Sequence, residues 1–471
     1  MSSPRVPDFY HAGRWWWSDE VAAMAASWRD AVDERLGDPS RPCAVAVSKD
    51  VEGLALLMAA SSRPAPLILL ADDATQWTEG MAMFEGLAVV IPPSRSDLAA
   101  EATRRGLMPV VMPAHAAGAP SRVDLLQTPG FVVHTSGSTG APKPVFRPTA
   151  HIIRGALARA SAVGLGAGAG LVGSTPFWSG QGIVHVVTAT CLGGALGVAS
   201  GIDHRDVLSV LAQPQFACWR ATAHMADVLG RCELSHTPRV PRVCLISSPV
   251  SARVHRAFEA RFGIPLRGSY SSTETGVVAV DAAPDGEVRY GTVGRPLPEV
   301  DLVIGDTPWE PAEPGVAGRV WVRSPWQMEG YGVPPVLSRP GDIDGWWPTR
   351  DIGLVDGGRV LTLVGRLDDC IRTREGRLVN LEHVAAMLRD IQGIRSALVL
   401  PVDGVAGKSF GALLECEAHD LPEIRERMGR SLPAWALPRV LKPVRAQPRL
   451  ANGKPDRLTA LATLLGHAEG R

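Results

Sequence analysis

"GFVVHTSGSTGAPKPVFRP", Gly130 to Pro148, is the stretch on which the reading of this chain turns. Its opening, Phe131 to Val133, is a short apolar run of the kind that forms a buried strand. The residues after His134 fit neither strand nor helix: Thr135, Ser136, Ser138 and Thr139 supply four hydroxyls, Gly137 and Gly140 two glycines, and Lys143 a single cation. A loop that leaves the carboxyl end of a buried strand stands where open α/β sheets bind ligands. The glycines let backbone N–H groups converge on one point, and the hydroxyls and the ammonium add donors and charge, a combination suited to phosphate. The spacing of Gly137, Gly140 and Lys143 is not that of a Walker loop, G-x-x-x-x-G-K-[ST]. Taken alone, the run would equally suit a Ser/Gly/Pro-rich surface turn.

Around it, apolar runs rich in Val, Ile and Leu ("CAVAVS", "LILLAD", "LAVVIPP", "MPVVMPA") alternate with helix-forming stretches such as "DVEGLALLMAASS" and "SDLAAEATRRGL". That alternation predicts βαβ units and a largely parallel sheet. From about Tyr290 short strands and turns take over ("YGTVGRPLPEVDLVI", "GVAGRVWVRSP", "GRVLTLVGR"), which predicts a smaller, barrel-like β region attached to the α/β core. After "GRLDDC" the pattern becomes α+β for roughly a hundred residues. The expected organisation is therefore a large domain over residues 1–367 and a small mobile domain over 368–471.

The chain has 471 residues with 48 basic and 48 acidic side chains, so no global charge draws it to nucleic acid or an anionic membrane. Its seven cysteines lie scattered, without a C-x-x-C pair, and read as reduced core residues. No window approaches 18 uninterrupted apolar residues and the N-terminus lacks a signal-peptide core, so a cytoplasmic protein is expected.

Further motifs appear in order along the chain. "SYSSTETG" spans residues 269–276, "YGTVGRPLPEVDLVI" and "GVAGRVWVRSPWQMEGY" lie after it, and then come "DGWWPTRDIGLVDGGRVLTLVGRLDDC" and "LPAWALPRVLKPVRAQPRLANGKPDR". With "TSGSTGAPKP" they resemble, in order, the signatures of the adenylate-forming superfamily of acyl- and aryl-CoA synthetases, luciferases and peptide-synthetase adenylation domains. The resemblance runs from about Val132 to Arg457, and the N-terminal part is similar only in its α/β style.

The resemblance implies a carboxylate joined to the α-phosphate of ATP, release of pyrophosphate, and capture of the acyl-adenylate by a thiol or amine. It implies that Thr135, Ser136, Gly137, Ser138, Thr139, Gly140 and Lys143 cover the β- and γ-phosphates. Thr273 would bond the α-phosphate, and Glu274 would hold Mg²⁺, a hard cation suited to oxygen ligands. Asp351 would take the ribose hydroxyls, assisted by Arg366, and Lys454 would bridge the attacking carboxylate and the α-phosphate. Asp368 matches the hinge about which the small domain alternates between half-reactions, so chemistry would require closure. Each of these residues, met singly, would pass for a solvated turn or surface side chain.

Departures from the family pattern bear on substrate and acceptor. Ser271 stands for a glycine in the Tyr270-to-Glu274 motif, and Arg350 for the glycine before Asp351. Trp178, in "STPFWSGQGI", either blocks a long acyl channel, favouring a small or planar acid, or is a packed core residue. "SSPV" at 247–250 replaces a glycine-rich segment, and "REGR" at 374–377 stands where CoA-using members carry Gly-Gly. Arg220 and His224 fall on an apolar segment near the expected pocket wall: Arg220 either faces an anionic substrate group or turns to solvent.

The leading expectation is an ATP-dependent, Mg²⁺-using ligase of specialised metabolism that adenylates a small or aromatic acid and passes it to CoA, a carrier-protein thiol or an amine. With 17 residues after Lys454, a carrier is expected on a separate chain. The departures also suit a specialist that activates nitrite for diazotisation or makes amides without CoA. A nucleotide-binding relative without turnover is the third reading.

Overall fold

A computed structural model describes the chain apart from residues 1–4, 78–85, 115–125, 136–141, 200–202, 233–236, 238, 248–249, 251, 368–369, 373–377, 390, 392, 405–406, 417–420, 431–433, 435–436, 449–454 and 467–471. It divides into two compact units. The first takes Met1–Leu302, Val322–Trp347 and Arg359–Leu361, and the second Val303–Trp321, Pro348–Gly358 and Thr362–Arg471.

Two large sheets build the first unit. In the eight-stranded sheet, Met108–Val111, Ala88–Ile91, Cys43–Val47, Leu67–Ala71 and Gly130–His134 lie side by side and parallel. Every residue of Cys43–Val47 and Leu67–Ala71 is buried, as expected of parallel strands covered on both faces. Pro144–Pro148 then returns antiparallel to Gly130–His134, and Gly330–Val333 pairs antiparallel to it in turn.

The nine-stranded sheet has a parallel centre of Leu196–Val198, Gly170–Gly173, Phe216–Ala221, Val243–Ile246 and Leu266–Ser272. Helices Gly180–Leu192, His204–Leu211, Ala223–Arg231 and Ala252–Phe262 fall between successive strands, the crossovers that parallel pairing requires. One face of Phe216–Ala221 sends Trp219 and Ala221 into a core with Met225, Leu229 and Phe258. Because side chains alternate along a strand, Cys218 and Arg220 point to the opposite face.

The second unit holds most of a four-stranded sheet in the order Asp301–Gly305, Gly318–Arg323, Trp347–Val355, Leu361–Arg366, which is the short-strand region expected after Tyr290. Its last hundred residues form a three-stranded sheet, Ser396–Gly404, Gly407–Glu415 and Val440–Val444, with three helices. Ala397 and Val399 face a core completed by Leu388 and Ile424, while Leu398 and Leu400 face Leu464 on the other side. The α/β class with a smaller α+β C-terminal part is as the sequence predicts. All seven cysteines are free, and no described helix is long and apolar enough to cross a membrane.

Candidate active site

The stretch from Gly130 to Pro148 folds as a hairpin. His134 pairs with Pro144, and the loop between them is closed at its mouth by Thr135, whose N–H donates to the Lys143 carbonyl and whose Oγ1 accepts from the Lys143 N–H, each at 3.0 Å. Thr135 is half-buried and Lys143 exposed, its Nζ 5.3 Å from the centre of the Tyr331 ring. Ser136, Gly137, Ser138, Thr139 and Gly140 lie outside the described residues.

Thr273 and Glu274 sit on the turn between Leu266–Ser272 and Gly276–Val280. Ser272 organises it: its Oγ accepts from the Thr275 N–H at 3.0 Å and lies 2.9 Å from Thr275 Oγ1. Gly276 closes it with φ of +69°, a backbone that side chains resist, and a Cβ there would come within 2.8 Å of Trp326 Cδ1 and 2.9 Å of Arg147 Nη2.

Beneath the turn lies Arg147, from the returning strand of the loop hairpin. It is 4% exposed, with Nη1 donating to the Thr273 carbonyl and Nη2 to the Trp326 carbonyl, each at 3.1 Å. Burial pushes its pKa down to about 10, and the nearby Glu274 opposes that shift. One arginine thus ties the strand that carries the loop to the turn that carries the threonine and the glutamate.

The Glu274 carboxylate accepts from Tyr331 Oη through Oε1 at 3.0 Å, and no partner holds Oε2 among the described residues. A half-buried carboxylate with one oxygen tethered and the other open suits a hard cation that takes its remaining ligands from phosphates and water. No group of three or more His, Cys, Asp or Glu side chains gathers as an all-protein cage among the described residues. Tyr270, three residues before Thr273, is buried at 5% exposure next to a β-bulge.

The helix Gly180–Leu192 begins against this turn: a Cβ on Gly180 would lie 3.4 Å from Thr273 Oγ1 and 3.7 Å from Val133 Cγ2. Ser179 caps it by accepting from the Gly182 N–H at 3.0 Å. Trp178, just before the cap, is partly buried against the core of the eight-stranded sheet. Arg220 lies near the carboxyl end of its strand, 4% exposed, so it does not turn to solvent. Its Nη2 donates to Ser247 Oγ at 2.7 Å. With its amide oxygen facing the guanidinium, Gln181 accepts from Arg220 Nη2 at 3.0 Å and from Nε at 2.9 Å. His224 is exposed in the first turn of the helix Ala223–Arg231. A cavity of about 400 Å³ elsewhere in this unit, lined by Arg35, Arg41, Ile68 and Val333 among others, includes none of these residues.

In the second unit Asp351 and Arg366 come from neighbouring strands, with Arg366 Nε 3.9 Å from Asp351 Oδ1. Thr349 orients the aspartate's backbone: its Oγ1 accepts from the Asp351 N–H at 3.2 Å and donates to the Val320 carbonyl at 2.7 Å. Arg350 is exposed. Asp368, Lys454 and the "REGR" segment lie outside the described residues.

Sequence reasoning missed Arg147, Tyr331 and Gln181. Arg147 stood inside the hairpin stretch, but an arginine in an otherwise apolar strand was its only signal; Tyr331 and Gln181 gave none, because their partners lie far away in the chain.

Residues 93–332, about half of the chain, match the family model described as AMP-binding enzyme. The sulfoacetate–CoA ligase of Cupriavidus necator is 26% identical over 368 residues, covering 77% of this chain and 71% of the relative. The 2-succinylbenzoate–CoA ligase of Enterococcus faecalis is 25% identical, covering 70% and 68%. Among solved structures, the amide bond synthetase McbA from Marinactinospora thermotolerans superposes with a TM-score of 0.79 at 24% identity, covering 97% of this chain and 96% of that one, a likeness of fold.

Proposed function

Because the chain belongs to the AMP-binding enzyme family and is an AMP-forming ligase, we propose that it adenylates a small carboxylic acid and passes the acyl group to a thiol or amine acceptor. In the first half-reaction a carboxylate oxygen attacks the α-phosphorus of ATP, the bond to the bridging oxygen breaks, and pyrophosphate leaves. In the second, a thiolate or amine attacks the acyl carbon and AMP departs with the carboxyl oxygen it gained.

The observation that carries this reading is the arginine tie between loop and turn. Adenylation is mostly positioning and neutralisation of gathered anions. Arg147 holds the Thr273 carbonyl while its own strand begins one residue after Lys143, so the loop's cation and the turn's hydroxyl share one rigid support. On this reading Thr135 and Lys143, with Ser136, Gly137, Ser138, Thr139 and Gly140, hold the β- and γ-phosphates, Thr273 donates to the α-phosphate, and Asp351 with Arg366 holds the ribose. Glu274 would hold Mg²⁺, which supplies charge neutralisation at the phosphate oxygens. Lys454 keeps its proposed place between carboxylate and α-phosphate, and Asp368 its place as hinge.

CoA is the acceptor named for the relatives. The "REGR" segment, in place of Gly-Gly, favours a second reading in which an amine accepts the acyl group directly. The deciding experiment measures pyrophosphate release from ATP and Mg²⁺ with short, aryl and dicarboxylic acids, and with nitrite plus aromatic amines, each with and without CoA. Turnover of one acid stimulated by CoA supports the CoA ligase. Turnover that ignores CoA and needs an amine or nitrite supports the specialist, and no release with any acid or with nitrite removes the adenylation reading.

A further inference from the structure

Among the described residues no carboxylate pairs with Arg220. Three other arginines buried in the same unit are compensated: Arg63 pairs with Asp33, Arg267 with Asp285, and Arg147 spends both terminal nitrogens on carbonyls near Glu274. Among the described residues, Arg220 bonds the neutral side chains of Ser247 and Gln181, and its Nη1, with two N–H donors, is buried without a hydrogen-bond partner. A second buried arginine makes matters worse. Arg159, 6% exposed, pushes against it electrostatically and likewise has no carboxylate partner among the described residues. His185, four residues after Gln181 and so on the same face of the helix, is buried there too. An arginine kept dry beside a second arginine costs several kcal/mol unless an anion completes it.

The position says which anion. Gly180 packs against Thr273, Gln181 comes next in the chain and bonds Arg220, and Ser247, which accepts from the same Nη2 as Gln181, is exposed. The guanidinium is therefore bonded by the residue that follows the glycine packed on Thr273, and it sits next to the side chain of an exposed serine.

We infer that the acid this enzyme activates carries a second oxyanion, a carboxylate or sulfonate, which docks on Arg220 Nη1 with help from Ser247, while the first carboxylate is presented to ATP at Thr273. This rests on the adenylation reading and narrows its substrate class to short doubly anionic acids. With Nε and Nη2 already bonded, the two N–H donors left on Nη1 suit a charged oxygen acceptor better than a neutral one, because the bond is then charge-assisted on both sides.

The test is pyrophosphate release with matched pairs: malonic, succinic, glutaric and phthalic acids against their monomethyl esters, and sulfoacetate against acetate. Wild type is expected to favour the doubly charged member of at least one pair by about 50-fold in kcat/KM, the scale of a charge-assisted hydrogen bond pair. In Arg220→Gln that preference collapses toward unity, with the loss falling on KM for the diacid, and Arg220→Lys restores part of it. Protection of wild type, but not of Arg220→Gln, against thermal unfolding by the same diacid gives a readout independent of turnover. Monoesters used as well as diacids by wild type, or a preference that survives Arg220→Gln, overturn the inference and leave adenylation standing. Should Arg220→Gln fail to fold, the wild-type pairs decide alone; silence with every acid overturns this inference, and adenylation falls with it only if nitrite plus aromatic amines is silent too.

Discussion

Arg147 Nη1 donates to the backbone carbonyl of Thr273 at 3.1 Å across 126 residues of sequence, joining the loop-bearing hairpin to the turn beside it. Replacing Arg147 with methionine keeps the bulk and removes both hydrogen bonds. The expected stability loss is about 3 kcal/mol, since two buried carbonyls lose a charged donor. Thr273 also loses its support, so kcat/KM for pyrophosphate release should fall about 100-fold, the cost of a small misplacement of a reacting group. Urea unfolding and steady-state kinetics on the same sample separate the two effects, and a variant that loses stability alone would deny Arg147 any positioning role.

Gly276→Ala tests the turn itself. The left-handed backbone and the contacts with Trp326 and Arg147 together should cost about 3 kcal/mol. Denaturant midpoints check this, and a near-neutral result would mean that the turn relaxes without difficulty.

Tyr331→Phe removes the hydroxyl that tethers Glu274 Oε1. The Mg²⁺ concentration for half-maximal activity should rise about tenfold, as expected when a group that orients a metal ligand is lost. Glu274→Gln should raise it further, whereas equal Mg²⁺ dependence in all three proteins would separate Glu274 from the cation.

Two histidines make stability depend on pH. Burial lowers the His255 pKa to about 4 and that of His185 well below its ordinary value, where Arg220 and Arg159 add to the effect. In the unfolded chain both titrate near 6.5, so below that pH the unfolded state binds more protons and stability falls as pH drops toward about 4. Each histidine contributes up to about 1.4 kcal/mol per pH unit. His255→Phe, which keeps the stack on Tyr290, should flatten the profile between pH 4.5 and 6.5 by one proton's worth.

Lys454→Ala is expected to lower pyrophosphate release about 1000-fold, the loss seen when one donor to a developing anion is removed. Binding of ATP, followed by calorimetry, should change far less, which separates a role in the chemical step from one in nucleotide affinity.

The parallel strands were legible because residues 43–47 and 67–71 are unbroken apolar runs, and burial on both faces demands just that composition. The roles proposed for the loop, Thr273, Glu274, Asp351, Arg366 and Lys454 came from the resemblance of whole motifs in order along the chain, since each residue by itself suits a solvated turn or surface side chain. Less could be read from the lone Arg220: the same letter in an apolar segment suits a solvent-facing arginine or a buried one.

By itself, then, the sequence determined the class of fold, which derives from local composition and spacing, while the groups proposed for the site followed from the resemblance of its motifs to a family. Only the tertiary structure decided that Arg147 supports Thr273, that Tyr331 tethers Glu274, and that Arg220 is buried beside Arg159 with no carboxylate to neutralise it among the described residues. These facts depend on which side chains the sheets and helices bring together from distant parts of the chain, and the free energy of a buried charge is set by those neighbours rather than by its own place in the sequence.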